Sequence, residues 1–459
     1  MGGLNTSLLA GLQALQASEA ALNATSNNIS NANTAGYTRE VAQFSENEEL
    51  VSGDTVSGGG VTLDGIQSVR DELLNLQIQQ QTSQQSSANT QSSLLSEVEN
   101  YFASNGEDIA STLSAFSSSL QQLSANPGDS SVRQSVLSAA QNLAQSFNTT
   151  ANGLASVQSQ ADQQVTQTVS QINTLTQQIA ALNAQLTPAV MSSQNGGTIE
   201  DQRDNLVQQL SELTGISVSQ SSDGEVITTG NGTPLVMGGQ AFSLQTATGT
   251  GGMQQVLDSN GNNITSDIQG GQLGGAIQLR DQTIPGYESS LSTLASQFAT
   301  AMNSAQAQGY DANGNAGQAF FSIPANPSYS GSIISVALTN SSQIAASSDG
   351  SAGSNGNVAN LSAVLNNALP SGQSPSNAYA NLVFQVGNDT ANASSESTAV
   401  GQSLLQLQNQ QSSESGVDID EESTNLIRYQ TAYEAAARVI STIQALNTVT
   451  LDMGSTQSY

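Results

Sequence analysis

The chain has 459 residues and contains no cysteine, no histidine, no tryptophan and no lysine; its seven cations are all arginine. Without cysteine there is no disulfide and no thiolate ligand, and without histidine no imidazole ligand, so thiolate and imidazole metal sites are excluded. The same absences remove Ser-His-Asp and Cys-His nucleophilic mechanisms. Gly58-Gly59-Gly60 is not a phosphate loop, because no lysine is present to meet a phosphate and no glycine-rich helix start follows. Aromatic residues make up only 4% of the chain, so a two-carboxylate glycosidase would lack the tryptophan that stacks on sugar rings. Positive charge is scarce: 36 acidic residues stand against seven arginines, a formal charge of −29. Nucleic acids and anionic membrane surfaces both demand clustered cations, so neither is expected as a partner. No apolar run reaches the ~20 residues of a membrane-spanning helix. Only 9% of residues are charged at all, and solubility rests on Ser, Gln, Asn and Thr. Such a surface suits contacts between copies of one chain. No enzyme activity, cofactor or metal is expected.

What the chain does have is two patterned ends. In residues 415–453, Leu426, Tyr429, Tyr433, Ala436, Ile440 and Ile443 follow a 3-4-3-4-3 spacing, the seam of a helix that packs lengthwise on another. Asp418 is placed to cap its start, with Glu421 as capping-box partner. At the other end, Leu8, Leu15, Leu22 and Ile29 recur every seven residues, with Leu4 and Leu12 read on the same side. This stripe runs into an Asn-rich segment, Ser26 to Arg39, that reads as a turn. The two stripes fit ordinary core helices of one domain, and they equally fit an axial module in which terminal helices of many subunits pack together. The ten seam residues are the candidate assembly interface.

Between the ends the pattern alternates. Residues 40–69 read as an extended connector with one hairpin. Leu73, Leu76, Leu94, Leu95, Val98 and Phe102 mark a long helix ending before Gly106, and residues 109–123 a second, stopped by Asn126-Pro127-Gly128. A very long helix runs from Asp129 or Ser130 toward Pro188, ~80 Å at 1.5 Å per residue, and a shorter one covers 199–213. From Gly215 to about Gly271 short alternating segments with Gly-rich turns predict a meander. Helix returns over 275–308 with a break near Pro285-Gly286, a strand over 332–338, and helices over 361–368 and 378–412. The expected divisions are 1–39, 40–69, 70–215, 216–271, 272–310, 311–357, 358–414 and 415–459. The fold class is mainly α with β-rich insertions: nested, with paired terminal helices, a long-helix bundle and one or two small β domains. Asp258-Ser-Asn-Gly-Asn262 and Asp311-Ala-Asn-Gly-Asn315 echo a calcium loop but lack its sixth-position Gly and twelfth-position Glu, so both read as turns. Asp418, Asp420, Glu421 and Glu422 read as a helix start, where the dipole favours acids.

The wording of the ends is more specific than their periodicity. LxxALxAxExALNxxSNNIxNANTxGYxR at the start and SGVDIDEESTNLIRYQTAYEAAARVISTI at the finish resemble the flagellar axial proteins of the rod, hook and hook-associated family. DQRDNLVQQLSELTG (201–215) and the block at 274–321 resemble the hook-associated members that form the hook–filament junction. One departure is Ala35, where the family usually has Pro. The resemblance implies a structural subunit needed for flagellum assembly and motility, located at the hook–filament junction. Its implied partners are a ring of copies of itself, the hook protein, the next junction protein, and an export chaperone at the C-terminal helix. No positive stretch precedes Arg39, so no secretory signal is expected. Composition alone then points to the cytoplasm; the resemblance instead implies secretion through the flagellar type III export apparatus. The alternatives are another axial protein, of the hook or second junction, and a secreted surface-binding protein whose β insertions recognise sugar.

Overall fold

The computed structural model describes residues 2–34, 36–47, 50–52, 55–57, 59–102, 108–186, 194–221, 224–249, 251–324 and 332–455. Ala35, Gly58, Gly106 and Pro188 lie outside them. The chain divides into two compact units: one holds Met1–Ser83, Gln171–Leu244 and Gly401–Tyr459, the other Gln84–Ser170 and Gln245–Val400. Helices α2 (Glu72–Phe102), α4 (Ser130–Gln185) and α9 (Pro375–Ser415) each contribute residues to both.

The terminal unit is built from α1 (Gly2–Asn31) and α10 (Ile419–Ser455). Next to α1 lies an antiparallel hairpin of β1 (Glu40–Glu46) and β4 (Val61–Ser68), whose tip pairs β2 (Leu50–Ser52) with β3 (Thr55–Ser57). Helix α5 (Gln194–Leu213) leads into a four-stranded antiparallel meander, β5 (Ile216–Ser221), β6 (Gly224–Thr229), β7 (Pro234–Met237) and β8 (Gln240–Ala241). In the first two turns of α2, Leu74 and Ile78 are buried and pack on Leu404 and Leu407 of α9. Leu73 and Leu76, which mark this helix in the sequence, are exposed. A four-residue step, 74 to 78, keeps one face toward α9, and Leu73 and Leu76 fall outside it.

The second unit is a helical bundle. Its core joins Leu113, Phe116 and Leu120 of α3 (Ile109–Ala125) to Leu143, Phe147 and Leu154 of α4 and to Leu291, Phe298 and Met302 of α7 (Ile284–Ala307). Phe116, Phe298, Phe320 and Phe321 form an aromatic knot with ring centroids 4.9 to 6.5 Å apart. Helix α8 (Val358–Asn366) contacts α3 and α7. Strands β9 (Gln245–Thr248) and β10 (Gln254–Leu257) form a small hairpin, and β11 (Phe321–Ser322) pairs with β12 (Ser335–Val336). The strand expected over 332–338 is therefore only two residues long. The neighbouring backbone of Ile333 and Ile334 bonds to a helix side chain, Asn148, in place of a strand.

The break expected at Pro285-Gly286 lies one turn earlier. Between α6 (Gly271–Gln278) and α7 the segment Leu279–Thr283 is a π-helical turn. Pro285, in the first turn of α7, has no N–H to give to the preceding turn, and the Ile284 amide reaches back five residues to Leu279. The two Asp-x-Asn-Gly-Asn segments are turns: Asp258 accepts from the amides of Asn260 and Asn262, and Asp311 from those of Asn313 and Asn315.

A recurrent device fastens extended backbone to helices. Asn28 of α1 accepts from the Glu40 amide and donates to the Glu40 carbonyl, both at 2.9 Å. Asn173 of α4 holds Leu244 in the same way, at 2.8 Å each. Asn303 of α7 does so for Phe321. A carboxamide carries the same donor and acceptor as a peptide group, so each Asn supplies one rung of a β-ladder from a helix surface.

Candidate assembly interface

The terminal helices meet within the chain. A Cβ on Gly11 would lie 3.1 Å from the Ile440 side chain. Farther along, the Arg39 guanidinium pairs with Glu421 at 3.0 Å. Residue numbers rise on one strand of this pairing as they fall on the other, so α1 and α10 run antiparallel. On α10, Ala436 and Ile443 are buried, and Leu426, Tyr429, Tyr433 and Ile440 are half-buried. On α1 the fully buried positions are small: Ala17, Ala21, Ala24, Thr25 and Asn28. Leu8, Leu15, Leu22 and Ile29 flank them and are half-buried, and Leu12, read on the same side, is exposed. The reason is geometric. Helix α1 is contacted by both α10 and the β1–β4 hairpin, and close approach of two elements favours small side chains at the contact.

Asp418 caps α10 as its position implies, accepting from the amides of Asp420 and Glu421. The capping-box role of Glu421 is replaced by its ion pair with Arg39, a partner 382 positions away that the local pattern does not reveal.

The segment expected as a turn from Ser26 is helical to Asn31, the end of α1, and the stretch that follows is fixed by a buried polar network. The Tyr37 hydroxyl donates to Asn28 Oδ1 at 2.8 Å, and the Thr38 amide donates to Asp201 of α5 at 3.0 Å. The Arg39 amide donates to the Ser415 carbonyl at 2.9 Å. Arg70, just beyond β4, reaches Asp201 at 2.6 Å, Asp204, and Glu200 at 3.4 Å. Arg203 joins α5 to Glu225 of β6 at 3.3 Å. Burial, reinforced by Glu40, Asp201 and Glu422, pushes the Tyr37 hydroxyl well above the usual tyrosine range. Burial and the neighbouring Asp201 raise Glu40 to about 7 against the pull of Arg70. These are locking contacts: removing one partner of a buried ion pair costs ~3–5 kcal/mol. None of Asn28, Arg70 or Asp201 was singled out from the sequence; the signal available for Asn28 and Asp201 was their position inside the quoted start and 201–215 blocks, and Arg70 lies outside both.

Comparison with known proteins follows this layout from end to end. The family described as flagellar hook-associated protein FlgK helical domain matches residues 95–321. The flagellar basal body rod FlgEFG protein C-terminal family matches 408–453, and the flagella basal body rod protein family matches 8–38. Flagellar hook-associated protein 1 of Salmonella typhimurium is 28% identical, aligned over 95% of this chain and 97% of its own. The protein of the same name from Escherichia coli K12 is 29% identical over the same shares. That of Bacillus subtilis is 28% identical over 95% of this chain and 96% of its own. The structure of the flagellar hook junction protein FlgK from Burkholderia pseudomallei superposes with a TM-score of 0.66 at 20% identity, covering 74% of this chain and all of that one. With rod-type families matching at both ends and a hook-associated family between them, the chain belongs to the flagellar axial proteins, in the hook-associated protein 1 family.

Proposed function

We propose that this chain is a structural subunit of the bacterial flagellum that joins hook to filament and is needed for flagellum assembly and motility. The observation that carries the reading is the end-to-end match to flagellar hook-associated protein 1 from three bacteria, over 95% of the chain. The role is structural rather than catalytic. Copies of the chain form a ring at the distal end of the hook, with hook protein below and the next junction protein above. The subunit reaches this place through the flagellar export apparatus, and α10 is the segment a chaperone would hold before export.

The terminal helices carry the assembly step. Their mutual contact within one chain rests largely on alanines and half-buried leucines, which bury little apolar area. Ordering two helices of this length costs considerable conformational entropy, so neighbouring subunits complete their stabilisation. Candidate residues are Leu8, Leu15, Leu22 and Ile29 with Leu426, Tyr429, Tyr433, Ala436, Ile440 and Ile443. The test is the double substitution Leu22→Ala and Ile440→Ala in a strain relying on this chain. Loss of filaments with an unchanged melting transition of the helical bundle is expected. Hooks that still carry filaments would refute the role given to the terminal helices.

A further inference from the structure

The segment Tyr37–Glu40 fastens the terminal unit together. Three consecutive residues hold three different helices. Thr38 donates its amide to Asp201 of α5, and Arg39 donates its amide to the Ser415 carbonyl at the end of α9. Glu40, the first residue of β1, is gripped through both its N–H and its C=O by Asn28 of α1. The Tyr37 hydroxyl donates to the same Asn28 oxygen. With its backbone held on both sides, Glu40 can turn its side chain to water only by giving up that rung.

That side chain is 4% exposed, and its Oε2 has no hydrogen-bond partner. Gly197 of α5 closes over it: a Cβ there would collide with Glu40 Oε1 and with Ser68 Oγ, which is also unpartnered. The nearest guanidinium is committed to α5. Arg70 gives its Nη groups to the Gly197 carbonyl, Asp201 and Asp204, and its Nε lies 3.4 Å from Glu200. Arg203 is taken up by Asp204 and Glu225. Five carboxylates, Glu40, Glu200, Asp201, Asp204 and Glu225, thus share two guanidiniums, and Glu40 is the one without an ion pair among the described residues. The other neighbours bring no relief. Helix α1 faces Glu40 with the uncharged Asn28, Arg39 is paired with Glu421 of α10, and burial together with Glu40, Asp201 and Glu422 keeps Tyr37 protonated.

An ionised Glu40 would therefore stand unpaired, away from water, in a site already surplus in negative charge. We propose that Glu40 is a proton-operated latch of the terminal unit: protonated, it lets β1 seat on α1 and α5, and ionised, it releases the Tyr37–Glu40 segment and with it the clasp on α1, α5 and α9. Burial and then Asp201 raise this carboxyl to about 7 from an ordinary 4.5, against the pull of Arg70. The closed unit holds a proton there that the open one gives up, so the fastening is strongest below pH 4.5 and is lost as pH rises through about 7. The latch belongs to the free chain and needs no neighbouring copy to act.

The test is hydrogen exchange of the full chain in solution, read by mass spectrometry from pH 5 to pH 8 and corrected for the intrinsic rate. Protection of peptides spanning 38–46 and 61–68 should fall ~10-fold or more across that range, beyond any change shared by α3 of the helical bundle. Glu40→Gln removes the charge at nearly constant shape and should keep its pH 5 protection at pH 8. Asp201→Asn still offers the Thr38 amide an acceptor, removes the neighbouring charge and frees Arg70 to turn toward Glu40, so the fall should become smaller and finish at lower pH. Protection that is absent or unchanged across the range in the unsubstituted chain would overturn the latch, as would a fall that persists in Glu40→Gln. Should Glu40→Gln be unprotected at every pH, Asp201→Asn decides: a fall of unaltered size and midpoint places the titration elsewhere and overturns the proposal.

Discussion

Glu288 offers a measurable test of the bundle's physics. It lies on α7 within the second unit, only 3% exposed, and neither carboxylate oxygen has a hydrogen-bond partner. Burial alone raises its pKa to about 7 from an ordinary 4.5. The folded state therefore holds a proton between pH 4.5 and 7 that the unfolded chain has released. Stability falls as pH rises through that window and is at its best below it. A displacement of about 2.5 pH units at 1.36 kcal/mol each corresponds to ~3 kcal/mol. Glu288→Met keeps the length of the side chain and removes the charge. At pH 8 it should stabilise the bundle by ~3 kcal/mol, or raise its melting temperature by roughly 6–12 °C for a unit of this size. At pH 4.5 the gain should shrink to that of replacing a neutral carboxyl. The assay is thermal or urea unfolding of both chains at half-unit steps from pH 4.5 to 8, and the difference between them isolates the one group. A difference that does not vary with pH would show that the carboxylate is solvated in the folded state and that the argument from burial is wrong.

Other perturbations address the remaining contacts. Asn28→Ala removes three hydrogen bonds and leaves the Glu40 peptide groups unpaired, which should cost ~2–4 kcal/mol in denaturant unfolding; Asn28→Asp should do no better, because it cannot donate to the Glu40 carbonyl. Gly275→Ala would place a Cβ 2.7 Å from the Ser87 carbonyl oxygen, so a loss of ~1–3 kcal/mol is expected. Gly286→Ala meets nothing within 4 Å and should stabilise by ~0.5–1 kcal/mol, as expected inside a helix; equal effects at the two glycines would contradict the packing. In a lysine-free chain trypsin can cut only at seven arginines. Exposed Arg428 and Arg438 should be cut first, and initial cleavage after buried Arg133 or Arg280, read by mass spectrometry, would contradict their burial.

Much of the fold was legible because long helices announce themselves. The 3-4 rhythm of Leu426, Tyr429, Tyr433, Ala436, Ile440 and Ile443 is a local consequence of 3.6 residues per turn, and those positions are the buried and half-buried side of α10. The meander beginning at Ile216 was equally readable from alternation and Gly-rich turns. The α1 stripe was misjudged in one respect. Leucine spacing located a helix, but its closest contacts fell to Ala17, Ala21 and Ala24, because crowding by two neighbours selects small residues and periodicity of large ones cannot register that. The asparagines of residues 26–39 were read as turn formers, and Asn173 and Asn303 drew no reading of their own. Asn28, Asn173 and Asn303 sit on helices and act as strand rungs, since a carboxamide is indifferent to whether its partner is near or far in sequence.

By itself the sequence determined the chemical class and the elements. No cysteine, histidine or lysine meant no thiolate, imidazole or amine chemistry; heptad ends meant helices seeking helices; and the quoted end blocks meant an axial family. Those properties are local or compositional, so a linear reading captures them. Only the tertiary structure decided which faces are occupied. It set α1 against α10, brought Arg70 to Asp201 across 131 positions and Arg39 to Glu421, and left Leu12, Glu19 and Arg428 exposed. Choosing among the faces of one helix depends on which distant segments crowd it, and that competition is settled by packing and by satisfying buried polar groups, not by the order of neighbouring residues.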